Sequence, residues 1–218
     1  VTGALATSNI DEVLDSIDLA VVSVPTSAHV ATALKCFDAG VHVLIEKPIA
    51  GTVADGQRLV DAARDAGLTL AVGHVERFNA AVAELPLIVE SPWHVRATRV
   101  SPYSARISDG VIHDLMIHDL DIVLALAGPD DRVTHANGIA RTDKSETEDF
   151  AAVNLTFQSG LTASFETSRI AQQKVRSIEV TQADSVIFAD LLGQDITIHR
   201  MSRHEYLSDD GVRYRQSS

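Results

Sequence analysis

Lys47, Asp114 and His118 are the residues whose types and settings suit the movement of a proton. Lys47 belongs to Glu46-Lys47-Pro48, directly after the apolar run His42 to Ile45. That run has the length and branching of a buried strand, so it delivers two charges to a strand-end loop. Pro48 fixes the turn and keeps Lys47 out of helical geometry. An ammonium placed there can donate to a substrate hydroxyl or carbonyl, and a partly desolvated lysine is suited to proton transfer. Asp114 and His118 are four residues apart in a helical pattern, which puts them on one face about one turn apart. A carboxylate beside an imidazole orients it, selects its tautomer and raises its basicity. The competing accounts are a surface Glu-Lys pair and an ordinary surface contact, and His113, Asp119 and Asp121 offer rival pairings on the same segment.

The elements that must hold these residues follow from periodicity and breakers. A short helix from Ser8 to Ile17, capped by Ser8 or Asn9, precedes "LAVVSV", an apolar strand from Leu19 to Val24 of the kind buried on both faces. A helix from Ala28 to Ala39 closes at Gly40, and after the strand into Glu46 a second helix from about Val53 to Ala66 closes at Gly67. Thr69 to Val72 completes three strands joined by helical crossovers, which implies a parallel sheet. After Gly73 the pattern changes to a polar loop, a short helix from Ala80 interrupted at Pro86, the strand in "SPWHVRATRV" and a helix from about Val111 to Ala127. Strands follow near 132–140, 150–157, 161–168, 174–181, 186–190, 195–200, 204–207 and 212–215, read as an antiparallel meander with a solvated connector from Asp143 to Asp149. The fold class expected is a partial α/β Rossmann-type parallel sheet over residues 1–76, then an α+β domain with an open-faced, mainly antiparallel sheet over residues 77–218.

Composition narrows the functions. A net charge of −12 without a basic stripe argues against a nucleic-acid partner held by phosphate neutralisation. Cys36 is the single cysteine, so an intramolecular disulfide and a cysteine-cluster metal site are excluded; no metal is expected, and the thiol reads as core. No apolar run reaches membrane-spanning length and no basic start leads into an apolar segment, so the expected setting is cytoplasmic, without a membrane partner.

Three segments, "VVSVPTSAHVATALKCFDAGVHVLIEKPIA", "VGHVERFN" and "GVIHDLMIHDLD", taken in that order, closely resemble the glucose-fructose oxidoreductase, inositol dehydrogenase and rhizopine catabolism (Gfo/Idh/MocA) family. The resemblance implies an NAD- or NADP-dependent oxidoreductase with a nucleotide-binding Rossmann domain and an open-faced sheet domain. It singles out Asp114 and His118 among the rival pairs. His118 is then the preferred general base, Asp114 its orienting partner and Lys47 a donor to the developing alkoxide, with Lys47 as base and His118 as substrate binder the alternative. The family's opening G-x-G-x-x-G turn does not occur in these residues, so about 60 residues of leading βα structure are expected upstream and a helical segment downstream.

By the same resemblance Pro25, Thr26 and His29, in the loop after the first strand, approach the nicotinamide half of the cofactor together with Glu46, Lys47 and Pro48. Thr26 as a helix cap, His29 as a solvent-facing first-turn residue and Glu46 in a loop salt bridge are the plainer readings. Arg77 and Asn79 lead from the last Rossmann strand toward substrate, with a salt bridge between domains the competing role for Arg77. Tyr103 and Arg106 are substrate-contacting candidates on a loop that could equally be plain surface. His74 and Glu76 read as structural, Trp93 as core or interface packing. The subgroup most resembled oxidises nucleotide-linked N-acetylhexosamines such as UDP-N-acetylglucosamine, whose diphosphate would want Arg77, Arg99 or Arg106; a free sugar or inositol stays open. Apolar alternation in "AAVNLTF" and "LTASFET" suggests a homo-oligomer through the open sheet, and packing on the domain's own helices explains it as well. The alternative function is a non-catalytic association module without cofactor.

Overall fold

Short β-branched runs alternate with amphipathic helical runs as far as His74, and in the computed structural model they form a parallel sheet with two helices packed in one core on it. Residues 3–104, 109–200, 204–207 and 213–216 are described. The chain divides into two units, Val1–His74 and Val75–Ser218.

In the first unit β1 (Leu19–Val22), β2 (His42–Ile45) and β3 (Leu70–Val72) pair in parallel in that order. Their register aligns Val22 with Ile45 and Ile45 with Val72, so the three carboxyl ends finish level. The crossovers are α1 (Thr26–Asp38) and α2 (Val53–Asp65), and the core joins Val22, Val43 and Ile45 to Ala33, Cys36, Phe37, Leu59 and Ala63 of the helices. Gly40 and Gly67, at φ of 77° and 67°, end the two helices in the left-handed region that a side chain would resist. Cys36 is fully buried, and burial raises its pKa, as suits an inert thiol.

Two expectations for this unit are corrected. The segment from Ser8 to Ile17 forms two short 3₁₀ turns, Ile10–Glu12 and Leu14–Ser16, that bring Ile10, Leu14 and Ile17 to the core; so short a segment returns little for the cost of nucleating a full helix. β1 is buried on one face only: Ala20 and Val22 pack inward, while Leu19 and Val21 are 57% and 62% exposed.

The second unit opens with a 3₁₀ turn (Val75–Phe78) and α3 (Ala80–Ile88), followed by β4 (His94–Val100). A π-helical turn (Ile112–Met116) runs directly into α4 (Ile117–Ala127). Then come β5 (Val133–Arg141), β6 (Phe150–Phe157), β7 (Thr162–Ser168), β8 (Val175–Thr181), β9 (Ser185–Asp190) and β10 (Asp195–Arg200). The remaining strands, β11 (His204–Leu207) and β12 (Arg213–Gln216), form a separate antiparallel hairpin.

The large sheet is not a meander. Its order is β10-β9-β8-β4-β7-β6-β5, with β4 inserted between the sequence neighbours β7 and β8, parallel to β7 and antiparallel to β8. Turn signals cannot reveal this, because they mark which strands are consecutive and β4 enters from a helix pair. One face of the sheet, with Val95, Ala97, Phe165, Ile178, Val180 and Ile187, packs with α3 and α4 residues Leu85, Ile122 and Val123. This packing accounts for the alternation in β6 and β7. Pro86 does not interrupt α3, which continues to Ile88. Nor is the connector solvated throughout, since Asp149 is fully buried.

Candidate functional site

The first cluster forms where β1, β2 and β3 end together, the edge at which open parallel sheets bind ligands. The Glu46 N–H donates to the Val22 carbonyl at 3.0 Å and the Gly73 N–H to the Ile45 carbonyl at 2.7 Å, so the ladder extends just past the strands into the loops. Glu46, Lys47 and Pro48 are half-buried there, and the Lys47–Pro48 peptide is cis. Gly73 lies against Glu46: a Cβ at position 73 would stand 3.2 Å from a Glu46 carboxylate oxygen. Sequence reasoning treated Gly73 only as a boundary; its signal was a glycine directly after an apolar strand in a sheet whose strand ends carry function.

Pro25 precedes α1 and Thr26 is its first residue, so Thr26 is not a cap; the N-cap is Pro25, without a side-chain hydrogen bond. His29 does not face solvent. It is 1% exposed, with Nδ1 2.9 Å from the Pro48 carbonyl and Nε2 3.0 Å from the Val24 carbonyl. Both partners are acceptors, so a doubly protonated ring satisfies both and a neutral ring one at a time. His29 thus ties the loop after β1 to the loop after β2, and its contribution to this edge is to hold the Lys47–Pro48 segment.

The second cluster lies within the second unit, where Asp114 and His118 straddle the junction of the π turn and α4. The Ile117 N–H reaches back five residues to the Ile112 carbonyl. Such π turns are uncommon and recur at functional sites. Both residues are half-buried. Their rivals are otherwise placed: His113 is exposed, Asp119 is gripped by Arg99 and Asp121 by Arg77. Upstream, the Ile112 N–H donates to a Glu148 carboxylate oxygen at 3.2 Å and the Val111 N–H to the Glu148 carbonyl at 3.0 Å, which supplies acceptors at the helix start. Gly110 leaves room for that carboxylate, since a Cβ there would lie 2.0 Å from it.

Several candidate side chains are engaged inside the second unit. Arg77 forks Asp121, with Nε at 2.7 Å and Nη2 at 2.6 Å, which raises its pKa; its salt bridge is within this unit and not between units. Asn79 caps α3 by accepting from the Ala81 N–H at 3.1 Å and donates to the Leu191 carbonyl at 2.8 Å. Arg99, considered for a diphosphate, is 2% exposed and held by Asp119 and Glu76, which removes it as a ligand group. Glu76 is structural, accepting from Arg99 at 3.1 Å and from Arg176 at 2.9 Å. The Tyr103 hydroxyl donates to the Lys144 carbonyl at 3.3 Å, and the Lys144 ammonium stands 5.6 Å from its ring centre. Arg106 lies outside the described residues.

Trp93 is not core: it is 60% exposed on a cavity of about 890 Å³ bounded by Leu126 to Asp131 and Gln158 to Leu161. None of the candidate residues lines that cavity. Among the described residues no cluster of His, Cys, Asp and Glu could hold a metal ion, and no helix is long and apolar enough to cross a membrane.

Comparison with known proteins adds the following. Residues 1–74 match a family model described as an oxidoreductase family with an NAD-binding Rossmann fold, and residues 71–185 match the GFO/IDH/MocA C-terminal domain. The chain is 33% identical over 208 residues to the UDP-N-acetylglucosamine 3-dehydrogenase of Acidithiobacillus ferrooxidans, covering 94% of this chain and 66% of that enzyme. It is 30% identical over 190 residues to the myo-inositol 2-dehydrogenase of Thermotoga maritima, covering 80% of this chain and 57% of that one. A solved structure of the Acidithiobacillus enzyme, GnnA, superposes with a TM-score of 0.85 at 30% identity, covering 90% of this chain and 65% of that chain. The chain therefore spans somewhat under two thirds of these relatives.

Proposed function

Since the chain belongs to the Gfo/Idh/MocA oxidoreductase family, we propose that it works as a nicotinamide-dependent dehydrogenase of a sugar-type secondary alcohol, with Lys47, Asp114 and His118 as its reactive groups. The observation that carries this reading is the coexistence of Lys47 at the level carboxyl edge of a parallel sheet and Asp114 with His118 at a π-to-α junction.

The residues present suit the nicotinamide half of NAD or NADP. Glu46, Lys47 and Pro48 follow β2, Thr26 follows β1, and Gly73 offers open backbone beside the Glu46 carboxylate. When bound, the cofactor supplies the hydride chemistry at its nicotinamide ring. The protein's part is the proton. His118 accepts it from the substrate hydroxyl, Asp114 orients the imidazole, and the Lys47 ammonium donates to the oxygen as negative charge grows on it. Lys47 as base, with His118 binding substrate, is the alternative division of roles.

For the substrate, the similarity to a UDP-N-acetylglucosamine dehydrogenase supports a nucleotide-linked N-acetylhexosamine. Tyr103 and Arg106, which precede the π turn in sequence, are the substrate-side candidates, and Arg77 would have to leave Asp121 to serve. A homo-oligomer through the sheet face that bears His94, Arg96 and Phe188 belongs to the same proposal.

The test is nicotinamide reduction with UDP-N-acetylglucosamine, free N-acetylglucosamine and myo-inositol, by the natural polypeptide and its His118→Asn and Lys47→Met variants. Turnover of the nucleotide sugar, with kcat lowered about 10²- to 10⁴-fold in each variant, is the expected outcome. No reduction with any of the three, or two variants as active as the parent, overturns the proposal.

A further inference from the structure

We propose that Arg99 is the positioning residue for His118, acting through the neighbouring Asp119; this rests on the dehydrogenase reading above. Arg99 lies on β4, the strand paired on both sides at the middle of the large sheet, and shares the inward face of Val95 and Ala97. Its Nε donates to the two Asp119 carboxylate oxygens at 3.0 and 3.1 Å, and its Nη2 donates to one of them at 2.7 Å. Its Nη1 donates to Glu76 at 3.1 Å, and Glu76 in turn accepts from Arg176 of β8 at 2.9 Å. Two residues beyond Asp119, Asp121 is forked by Arg77 of the Val75–Phe78 turn. The first turns of α4 are thereby fastened to the centre of the sheet and to that 3₁₀ turn by two planar forks.

Stability does not explain so elaborate an arrangement. Arg99 and Asp119 are each 2% exposed, and removing such charges from water costs most of what their attraction returns, so apolar residues of similar volume would hold the helix about as well. Burial opposes the charge on Arg99, and hydrogen bonding and attraction from Asp119 and Glu76 more than offset it, leaving its pKa raised. What apolar contacts lack is direction. Met116, Ile122 and Val123 set how closely the helix approaches the sheet, but packing alone tolerates small rotation and slip along its axis. A guanidinium bonded through three nitrogens tolerates neither.

The need for such a fix lies just upstream. The π turn at Ile112–Met116 holds one residue more than an α turn would, and redistributing it would turn Asp114 relative to His118. Glu148 secures the start of that turn at Ile112, and Arg99 secures the residue directly after His118. The segment bearing the acid-base pair is pinned at both ends to the sheet domain.

The test uses the natural polypeptide, an Arg99→Met/Asp119→Leu double variant and an Arg99→Lys variant. The double variant removes one charge of each sign and leaves Glu76 on Arg176, so no buried charge is stranded by the exchange. Arg99→Lys keeps the charge and loses the fork. Hydrogen–deuterium exchange by mass spectrometry is expected to be about tenfold faster across residues 112–122 in both, with β6 and β7 unchanged. The kcat for the sugar substrate is expected to fall about 10- to 100-fold, with KM within about twofold. Parent-like exchange across 112–122 in the Arg99→Lys variant, or parent-like kcat in the double variant, overturns the positioning role. Failure of the parent to reduce nicotinamide would sink the dehydrogenase reading alone, because the exchange measurement still decides whether the fork fixes this segment.

Discussion

Replacing Asp149 by Asn tests whether the loop before β6 is organised by one buried carboxylate. Asp149 is fully buried, and its Oδ2 accepts from the N–H groups of Asp143, Lys144 and Ser145 at 2.8, 2.6 and 3.1 Å. The Ser145 hydroxyl donates to Oδ1, and the Arg169 Nε stands 3.7 Å away. Burial alone would raise this carboxyl, but the Ser145 hydroxyl and the three backbone donors outweigh it and hold the pKa well below the ordinary range. A hydrogen bond to a charged acceptor contributes about 1 kcal/mol more than one to a neutral acceptor, so three backbone donors lose about 3 kcal/mol when the charge is removed. Urea unfolding of the parent and Asp149→Asn at neutral pH is expected to show that loss. Because the folded pKa is depressed, this stabilisation is fully present above the unfolded value of about 3.9 and is lost as pH falls toward the folded value. The gap between parent and variant is therefore expected to be flat from pH 7 to about 5 and to shrink below about 4. A gap under about 1 kcal/mol at pH 7, or one that does not shrink on acidification, would refute the argument.

Two glycine substitutions probe the clusters separately. In Gly110→Ala the new methyl must displace the Glu148 carboxylate from the Ile112 N–H, and a loss of about 1–2 kcal/mol in urea unfolding is expected; parent stability would show that Glu148 does not hold the helix start. In Gly73→Ala the methyl meets the Glu46 carboxylate at 3.2 Å, close enough to shift it by a few tenths of an ångström and too mild to disturb the fold. The expected result is a Kd for NADH raised about fivefold, equivalent to about 1 kcal/mol, at unchanged melting temperature; an unchanged Kd would remove Glu46 from the cofactor's surroundings.

What was legible in the sequence divides along the range of the forces involved. The crossover helices, the glycines that end them and the strand feeding Lys47 are local consequences of periodicity and backbone preference, and they formed close to their expected bounds. The choice of Asp114 and His118 among rival pairs came from the family motif. The rivals Asp119 and Asp121 are gripped by arginines 20 and 44 residues away in sequence. Such partners leave no periodic trace. Arg77, Arg99 and Asn79 looked available because an arginine or asparagine beside a strand end has the same appearance in sequence whether it meets a ligand or a carboxylate of its own domain. The buried Asp149 hid in the charged run from Asp143 to Asp149 for a related reason: a solvated connector and one folded around an acceptor share a composition. For His29 only the plainer reading, a first-turn residue facing solvent, fails, since the carbonyls that bury it belong to Val24 and Pro48 on two different loops. In each case the side chain holds a neighbour in place, and for Arg77 the salt bridge that sequence offered has its partner within its own unit. The candidate reactive groups stood out by residue type and by resemblance to the family, whereas these long-range partners became visible only when distant segments were brought together.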